Sequence, residues 1–222
     1  MTTLRMRYLL TVALLAVTAS SLAAQGNSRN RNSKATRASH GPMNMAQMQK
    51  MMTGWPMASK EAAMFMSKKY GMPVAMTTDM AMWGKTGPWK RTIVFAREYA
   101  HEFPMKHTDV MQQWIDYKAP AAMYDELAMY DGSVVLERTS GEMSARCDKE
   151  GANFLAINLA HDVAMGTRTV ADARRMYGEQ IMAMKAGRPA PMMEKILFTM
   201  MTSTNDTDVP LMGEMSGGGM RP

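Results

Sequence analysis

Three residues that could share a metal ion occur close together: His101, His107 and Asp109 lie within the nine-residue segment HEFPMKHTD. Two imidazoles and a carboxylate are ligand types of catalytic zinc and non-haem iron sites. Pro104 stiffens the segment between the histidines, and loops held by a rigid scaffold are where sites tend to be built. The spacing fits no compact motif such as HExxH. Two interpretations therefore stay open: a site for a divalent metal, and a polar loop whose side chains satisfy backbone groups.

A second polar group lies on a predicted long helix over residues 142–165. At 100° per residue, four compact polar side chains share one face of that helix, opposite its alanines and leucines: Cys147, Glu150, Asn158 and His161. In a metal-assisted hydrolase, Glu150 would be the general base and His161 would orient the substrate. Cys147 is a candidate reactive thiol, because a helix N-terminus lowers a thiol pKa. Structural alternatives are polar side chains that satisfy backbone groups and an ordinary buried thiol.

We expect the loop of residues 101–109 to pack over this helix face, because both are rich in compact polar groups that are costly to bury unpaired. One of the loop histidines should then lie within side-chain reach of Glu150, Asn158 or His161.

The elements that would position these residues form a single α+β domain over residues 55–202. Two alternating segments, 74–83 and 89–99, flank a Gly/Pro-rich turn and predict a β-hairpin, and residues 133–138 predict a short buried strand. Helix periodicity and end signals predict helices over residues 60–70, 108–115, 120–130, 142–165 and 169–185, and one from residue 191. The expected architecture is thus a small antiparallel sheet, a hairpin plus one or two short strands, packed against several helices.

Residues 1–24 have the order of a secretory signal peptide: a basic start, a 12-residue apolar run and small residues at a cleavage site. The run is shorter than the roughly 20 residues that span a bilayer, so we expect no transmembrane segment in the mature chain. The sequence predicts export to the periplasm or the extracellular space. Residues 25–54, basic and then methionine-rich, and residues 203–222 are expected to be disordered.

Charge is distributed unevenly along the chain. Residues 1–40 contain six basic residues and no acidic one, whereas residues 41–222 contain 20 of each. A neutral body argues against a nucleic-acid-binding face. The basic segment could contact the cell envelope, although a solvated spacer is the simpler interpretation.

Methionine is unusually frequent, with 28 residues after position 24 against six leucines. Soft thioethers in MxM and MxxM spacings could bind copper(I), and exposed methionines could scavenge oxidants. The excess runs along the whole chain, however, which favours methionine as the general core residue. Cys147 is the single cysteine, so the chain contains no internal disulfide.

Three functions follow from these observations. The first is an exported binding or envelope-associated module of unknown activity. The second is a metal-assisted hydrolase at His101, His107 and Asp109, whose cofactor would be a divalent metal. The third is methionine-based copper or oxidant handling. Catalysis is not decided by the sequence.

Overall fold

The computed structural model describes residues 43–204 and residue 208. In this part of the chain the α-helices are α1 (Met45–Met51), α2 (Met57–Tyr70), α3 (Tyr124–Tyr130), α4 (Glu150–Ala164) and α5 (Val170–Lys185). The strands are β1 (Ala75–Met76), β2 (Met80–Trp83), β3 (Arg91–His101), β4 (His107–Asp116), β5 (Val134–Glu137) and β6 (Glu142–Cys147). Short 3-10 turns cover Ala121–Met123 and Pro191–Met193.

The strands form one antiparallel sheet in the order β1-β2-β3-β4-β6-β5. The predicted α+β class is therefore confirmed, and the predicted hairpin corresponds to β2 and β3. The sheet is larger than a hairpin with one or two strands, because β4 and β6 add central strands. None of the helices in the described part of the chain is both long and apolar enough to traverse a lipid bilayer.

Two segments predicted as helix are strands. Residues 108–115 belong to β4, which is hydrogen-bonded to β3 on one side and β6 on the other. Residues 142–147 form β6, so the long helix begins only at Glu150. In both segments tertiary pairing overrides local helix signals, because a strand bonded along both edges satisfies all its backbone groups.

The fold also begins earlier than the sequence predicts. Asn44 caps α1 with a capping box, and Met48 and Met52 are buried in a core with Trp55. Residues 43–54, expected to be disordered, therefore pack against the domain. The helix predicted from residue 191 is wrong for the described residues, since between Pro191 and Thr204 the structure has a 3-10 turn and no α-helix. The predicted signal peptide, residues 25–42 and all of residues 205–222 except Asp208 lie outside the described residues.

Two apolar clusters form the core: one joins α1 and α2 to β2–β4, and the other surrounds α4 with α3, α5 and β6. A buried polar seam connects them. Gln113 on β4 donates from Nε2 to Thr92 Oγ1 at 3.2 Å and lies 3.9 Å from Met66 Sδ on α2. Its Oε1 accepts from Asn153 Nδ2 on α4 at 2.9 Å. Both helices are thus held against the sheet through one glutamine.

Glu142, the first residue of β6, forms a bidentate ion pair with Arg91, with N–O distances of 2.9 and 2.6 Å. Lys90 Nζ adds a contact of 2.7 Å to Oε1. The Arg91 guanidinium, followed by Lys90, lowers the pKa of Glu142 from 4.5 to about 2. Glu142, which the sequence predicts to lie in a helix, therefore links strands β3 and β6.

We predict that Glu142→Gln lowers the free energy of unfolding by about 2 kcal/mol at pH 7, because a neutral amide with one oxygen cannot form the bidentate ion pair with Arg91. A depressed pKa stabilises the fold above pH 4.5, and this contribution disappears as the pH falls towards about 2. Urea unfolding of the wild type and the variant between pH 7 and pH 3 should therefore show a shrinking difference. Asp116→Asn, at a more exposed partner of Lys90, should cost less than about 0.5 kcal/mol.

Candidate metal site

Strand pairing, not a helix, brings the three candidate ligands together. His101 ends β3, His107 begins β4, and the two face each other directly across the ladder. Asp109 follows two residues later on β4. Since side chains alternate along a strand and opposite residues share a face, all three project from the same side of the sheet.

The distances within this group are short. His107 Nε2 lies 3.1 Å from Asp109 Oδ1, and His101 Nδ1 lies 3.3 Å from Asp109 Oδ2. One ligand atom from each residue lies within 4.8 Å of the other two. The Asp109 side chain is 1% exposed, while each histidine side chain is 18% exposed. A buried carboxylate thus stands between two imidazoles that reach the surface.

Two residues that the sequence did not single out support this group from the turn before β5. Ser133 donates its hydroxyl to Asp109 Oδ2. Asp131 Oδ1 lies 3.6 Å from His101 Nε2 and accepts from the Ser133 backbone N–H at 2.8 Å. Burial raises the pKa of Asp131. The Asp-Gly turn signal located these residues in the chain, but nothing local indicated that the turn would lie beside β3 and β4.

The tautomer of His107 follows from its second nitrogen. His107 Nδ1 lies 2.8 Å from the Met105 carbonyl oxygen, and a carbonyl can only accept, so Nδ1 carries a proton. Nε2 is therefore the nitrogen directed at Asp109. Asp109 Oδ1 is buried, and His107 Nε2 lies 3.1 Å from it as its ion-pair partner. The Asp109 carboxylate and then the Cys147 thiol raise the pKa of His107 to about 11, so this position favours a positive charge.

Cys147 lies at the end of β6, opposite Met111 of β4, and not in the first turn of a helix. The predicted activation by a helix N-terminus is therefore wrong. Burial raises the pKa of the thiol, an effect that His107 opposes. Cys147 and His107 both line a cavity of about 270 Å³. A reactive role for Cys147 stays a prediction.

Glu150 is engaged away from the loop histidines. Its carboxylate forms an ion pair with Lys69 and accepts hydrogen bonds from the Tyr70 hydroxyl and from Trp89 Nε1, both at 2.7 Å. This arrangement joins α2 to the start of α4.

His161 and Asn158 are engaged elsewhere as well. His161 Nδ1 is 2.9 Å from the Tyr117 hydroxyl, and its ring stacks on Phe198 with a centroid separation of 4.0 Å. Burial lowers the pKa of His161. Asn158 donates to the carbonyl oxygens of Met192, within the Pro191–Met193 turn, and of Lys195, and it accepts from the Leu197 backbone N–H.

No hydrogen bond or ion pair among residues 43–204 joins His101 or His107 to Glu150, Asn158 or His161. The catalytic roles of Glu150 and His161 stay predictions.

Comparison with protein-family models, with curated proteins and with solved structures finds no match. Arguments about function therefore rest on this chain's own geometry.

We predict that Glu150→Gln lowers the free energy of unfolding by about 2 kcal/mol, because an amide cannot accept from Lys69, Tyr70 and Trp89 together. Urea unfolding measures the loss. Glu179→Gln, which removes an exposed ion pair with Arg175 on α5, should cost no more than about 0.5 kcal/mol. The opposite outcome, in which Glu150→Gln keeps wild-type stability but loses a bound metal ion, would assign Glu150 to the metal site instead.

Proposed function

We propose that the protein is an exported metal-binding protein that holds a divalent transition metal ion with His101, His107 and Asp109. The observation that carries the proposal is the convergence of the three side chains: one ligand atom from each lies within 4.8 Å of the other two, and the Asp109 carboxylate is buried between the histidines. When His107 is neutral, its Nε2 lone pair faces Asp109 Oδ1 at 3.1 Å, which is unfavourable unless a cation lies between the two atoms. A metal ion would bind both atoms in place of the proton that His107 otherwise holds there, because the pKa of His107 is about 11.

The separations support binding of a single ion. At metal–ligand distances of about 2.0–2.2 Å, two ligands of a tetrahedral zinc ion are about 3.4 Å apart. The His–Asp separations of 3.1 and 3.3 Å are close to this value. The two separations reach different oxygens of Asp109, and the three ligand atoms lie within 4.8 Å of one another, so a single ion would bind with the side chains drawn closer together.

Neighbouring groups support the same assignment. Metal-binding histidines generally direct their second nitrogen at a carbonyl or carboxylate oxygen. Here the Met105 carbonyl faces His107 Nδ1, and Asp131 lies near His101 Nε2. Ser133 donates to Asp109, which orients its carboxylate.

The donor set favours a divalent ion such as zinc or iron over copper(I). Imidazole and carboxylate groups suit Zn²⁺ and non-haem iron, whereas copper(I) prefers thiolates and thioethers. Met48 and Met52, from the densest methionine run, are buried in the core. Their packing supports a structural role for methionine, and copper or oxidant handling is accordingly the less supported function.

Metal-assisted hydrolysis is a second candidate function, favoured by the cavity beside His107. Three protein ligands leave a position open, and a bound zinc ion would supply a hydroxide by lowering the pKa of water to about 7. The chain would contribute the cavity walls and the fixed ligand geometry. Binding itself is the primary proposal, because Glu150 is already engaged by Lys69, Tyr70 and Trp89.

We predict that the purified protein, stripped of metal and titrated with Zn²⁺, binds one equivalent by calorimetry and by elemental analysis after dialysis. Asp109→Asn and His107→Gln should each weaken binding by at least about a hundredfold. Ser133→Ala, which only removes the hydrogen bond to Asp109, should weaken it about tenfold.

The matched control is His161→Gln, which removes a half-buried histidine in contact with Tyr117 and Phe198 and should leave zinc affinity unchanged. Circular dichroism verifies the fold of each variant. A wild-type protein without stoichiometric zinc, iron or manganese would contradict the proposal, and so would a His161→Gln variant that loses as much affinity as the triad variants.

A further inference from the structure

A large cavity lies between α2, the start of α4 and the segment after α5. Its volume is about 820 Å³, within the range of small-molecule sites. Small residues leave the space open: Ala58 and Ala62 on α2, Gly151 on α4 and Ala190 after α5. A Cβ atom at Gly151 would lie 3.1 Å from the Met193 carbonyl oxygen, so a side chain there would crowd the wall.

The walls of this cavity leave large apolar groups uncovered. Phe65 on α2 and Met184 on α5 both line it, and each is 42% exposed. Single exposed apolar residues are ordinary, but two that face one cavity form the apolar wall typical of a ligand site. The cavity therefore suits an apolar body.

The large cavity adjoins the candidate metal site. It shares four wall residues with the 270 Å³ cavity that His107 and Cys147 line: Asp148, Lys149, Met184 and Met193. A ligand that lies in the large cavity could therefore extend towards His107.

The charge of the lining residues differs between the small cavity and the large cavity. The small cavity is lined by Lys106, Lys149 and Lys185 and by one carboxylate, Asp148, which pairs with Lys149. Lys185 Nζ contacts Met105 Sδ at 3.0 Å, and a thioether is a weak acceptor. Within residues 43–204, no carboxylate forms an ion pair with Lys106 or Lys185. This end can therefore accept an anion.

The far end has the opposite balance. Apart from the shared residues, the large cavity is lined by Glu61, Glu150 and Glu194 and by one cation, Arg188, and the Glu150 carboxylate is paired with Lys69. An anionic group would be repelled there and attracted at the small cavity. The charge distribution thus orients a ligand that has one anionic end.

We propose that the two cavities form one site for an amphipathic monocarboxylate, with its alkyl chain in the large cavity and its carboxylate between Lys106 and Lys185, facing His107. The contribution of a metal to this binding rests on the proposed metal site, because an open metal position beside His107 would also attract a carboxylate. The lysines and the apolar walls would bind the ligand in the absence of a metal ion.

The test is calorimetric titration of the purified metal-free protein with three probes of equal chain length: octanoate, octanol and octyltrimethylammonium. Octanoate should bind at least about tenfold more tightly than either of the others, as expected for two exposed lysines that each contribute up to about 1 kcal/mol. Equal binding of octanol, or preference for the cation, would overturn the proposal.

Variants locate the ligand. Ala58→Trp should fill the large cavity and abolish octanoate binding, whereas Ala171→Trp, on an exposed position of α5, should leave it unchanged. Lys106→Glu combined with Lys185→Glu should reverse the preference towards the cationic probe, and Lys118→Glu, at an exposed position outside both cavities, should not. Octanoate binding that survives both Ala58→Trp and the double lysine variant would overturn the assignment.

A Zn²⁺ titration of the same variants separates the two proposals. Ala58→Trp should retain wild-type zinc affinity, so its loss of octanoate binding cannot reflect a damaged metal site. Failure of zinc binding with selective octanoate binding would refute the metal site alone. Zinc binding without octanoate binding would refute the monocarboxylate site alone.

Discussion

The carboxylate of Asp109 is buried on a central strand of the sheet, and its charge has to be balanced by what surrounds it. An isolated buried carboxylate costs several kcal/mol, so native structures surround such groups with donors or cations. Here the balancing groups come from β3, from the start of β4 and from the turn before β5, as His101, His107 and Ser133. One charge therefore determines how three separate segments of the chain must meet. The proposed metal ion would complete that balance.

Local signals predicted the elements that are defined locally. The predicted helix end at residue 70 and helix start at residue 169 agree with α2, which Gly71 caps, and α5, which Thr169 caps, because each cap depends on hydrogen bonds within a few residues. The strands β4 and β6 were read as helix. On β4, Val110 and Met111 are both buried, so the alternation that reveals a one-sided strand is absent. On β6, Glu142 resembles a capping residue, but it binds Arg91 from a strand that is 51 residues away.

The three candidate ligands were selected from residue type and proximity in sequence, and the structure brings their side chains together by a different route. A loop leading into a helix was expected, whereas a tight β3–β4 connection places His101 opposite His107. The contributions of Asp131 and Ser133 could not be found from sequence, because strand order is needed to place that turn beside β4. Glu150 shows the reverse case. Its position on a polar helix face suggested chemistry, yet its carboxylate joins α2 to α4.

The polar seam at Gln113 has a consequence for the large cavity. Its amide bonds Thr92 on β3 and accepts from Asn153 on α4, and it contacts Met66 on α2. Hydrogen bonds of fixed geometry inside an apolar core allow few alternative arrangements, whereas purely apolar contacts can slide. The seam fixes α4 against the sheet, and the Glu150 carboxylate at the start of α4 binds Lys69 and Tyr70 of α2. The spacing between α2 and α4, and with it the width of the cavity between them, is therefore set before any ligand arrives. A preorganised cleft of this kind selects ligands by their width. A branched or bulky ligand should bind weakly, because the cleft cannot widen to admit it.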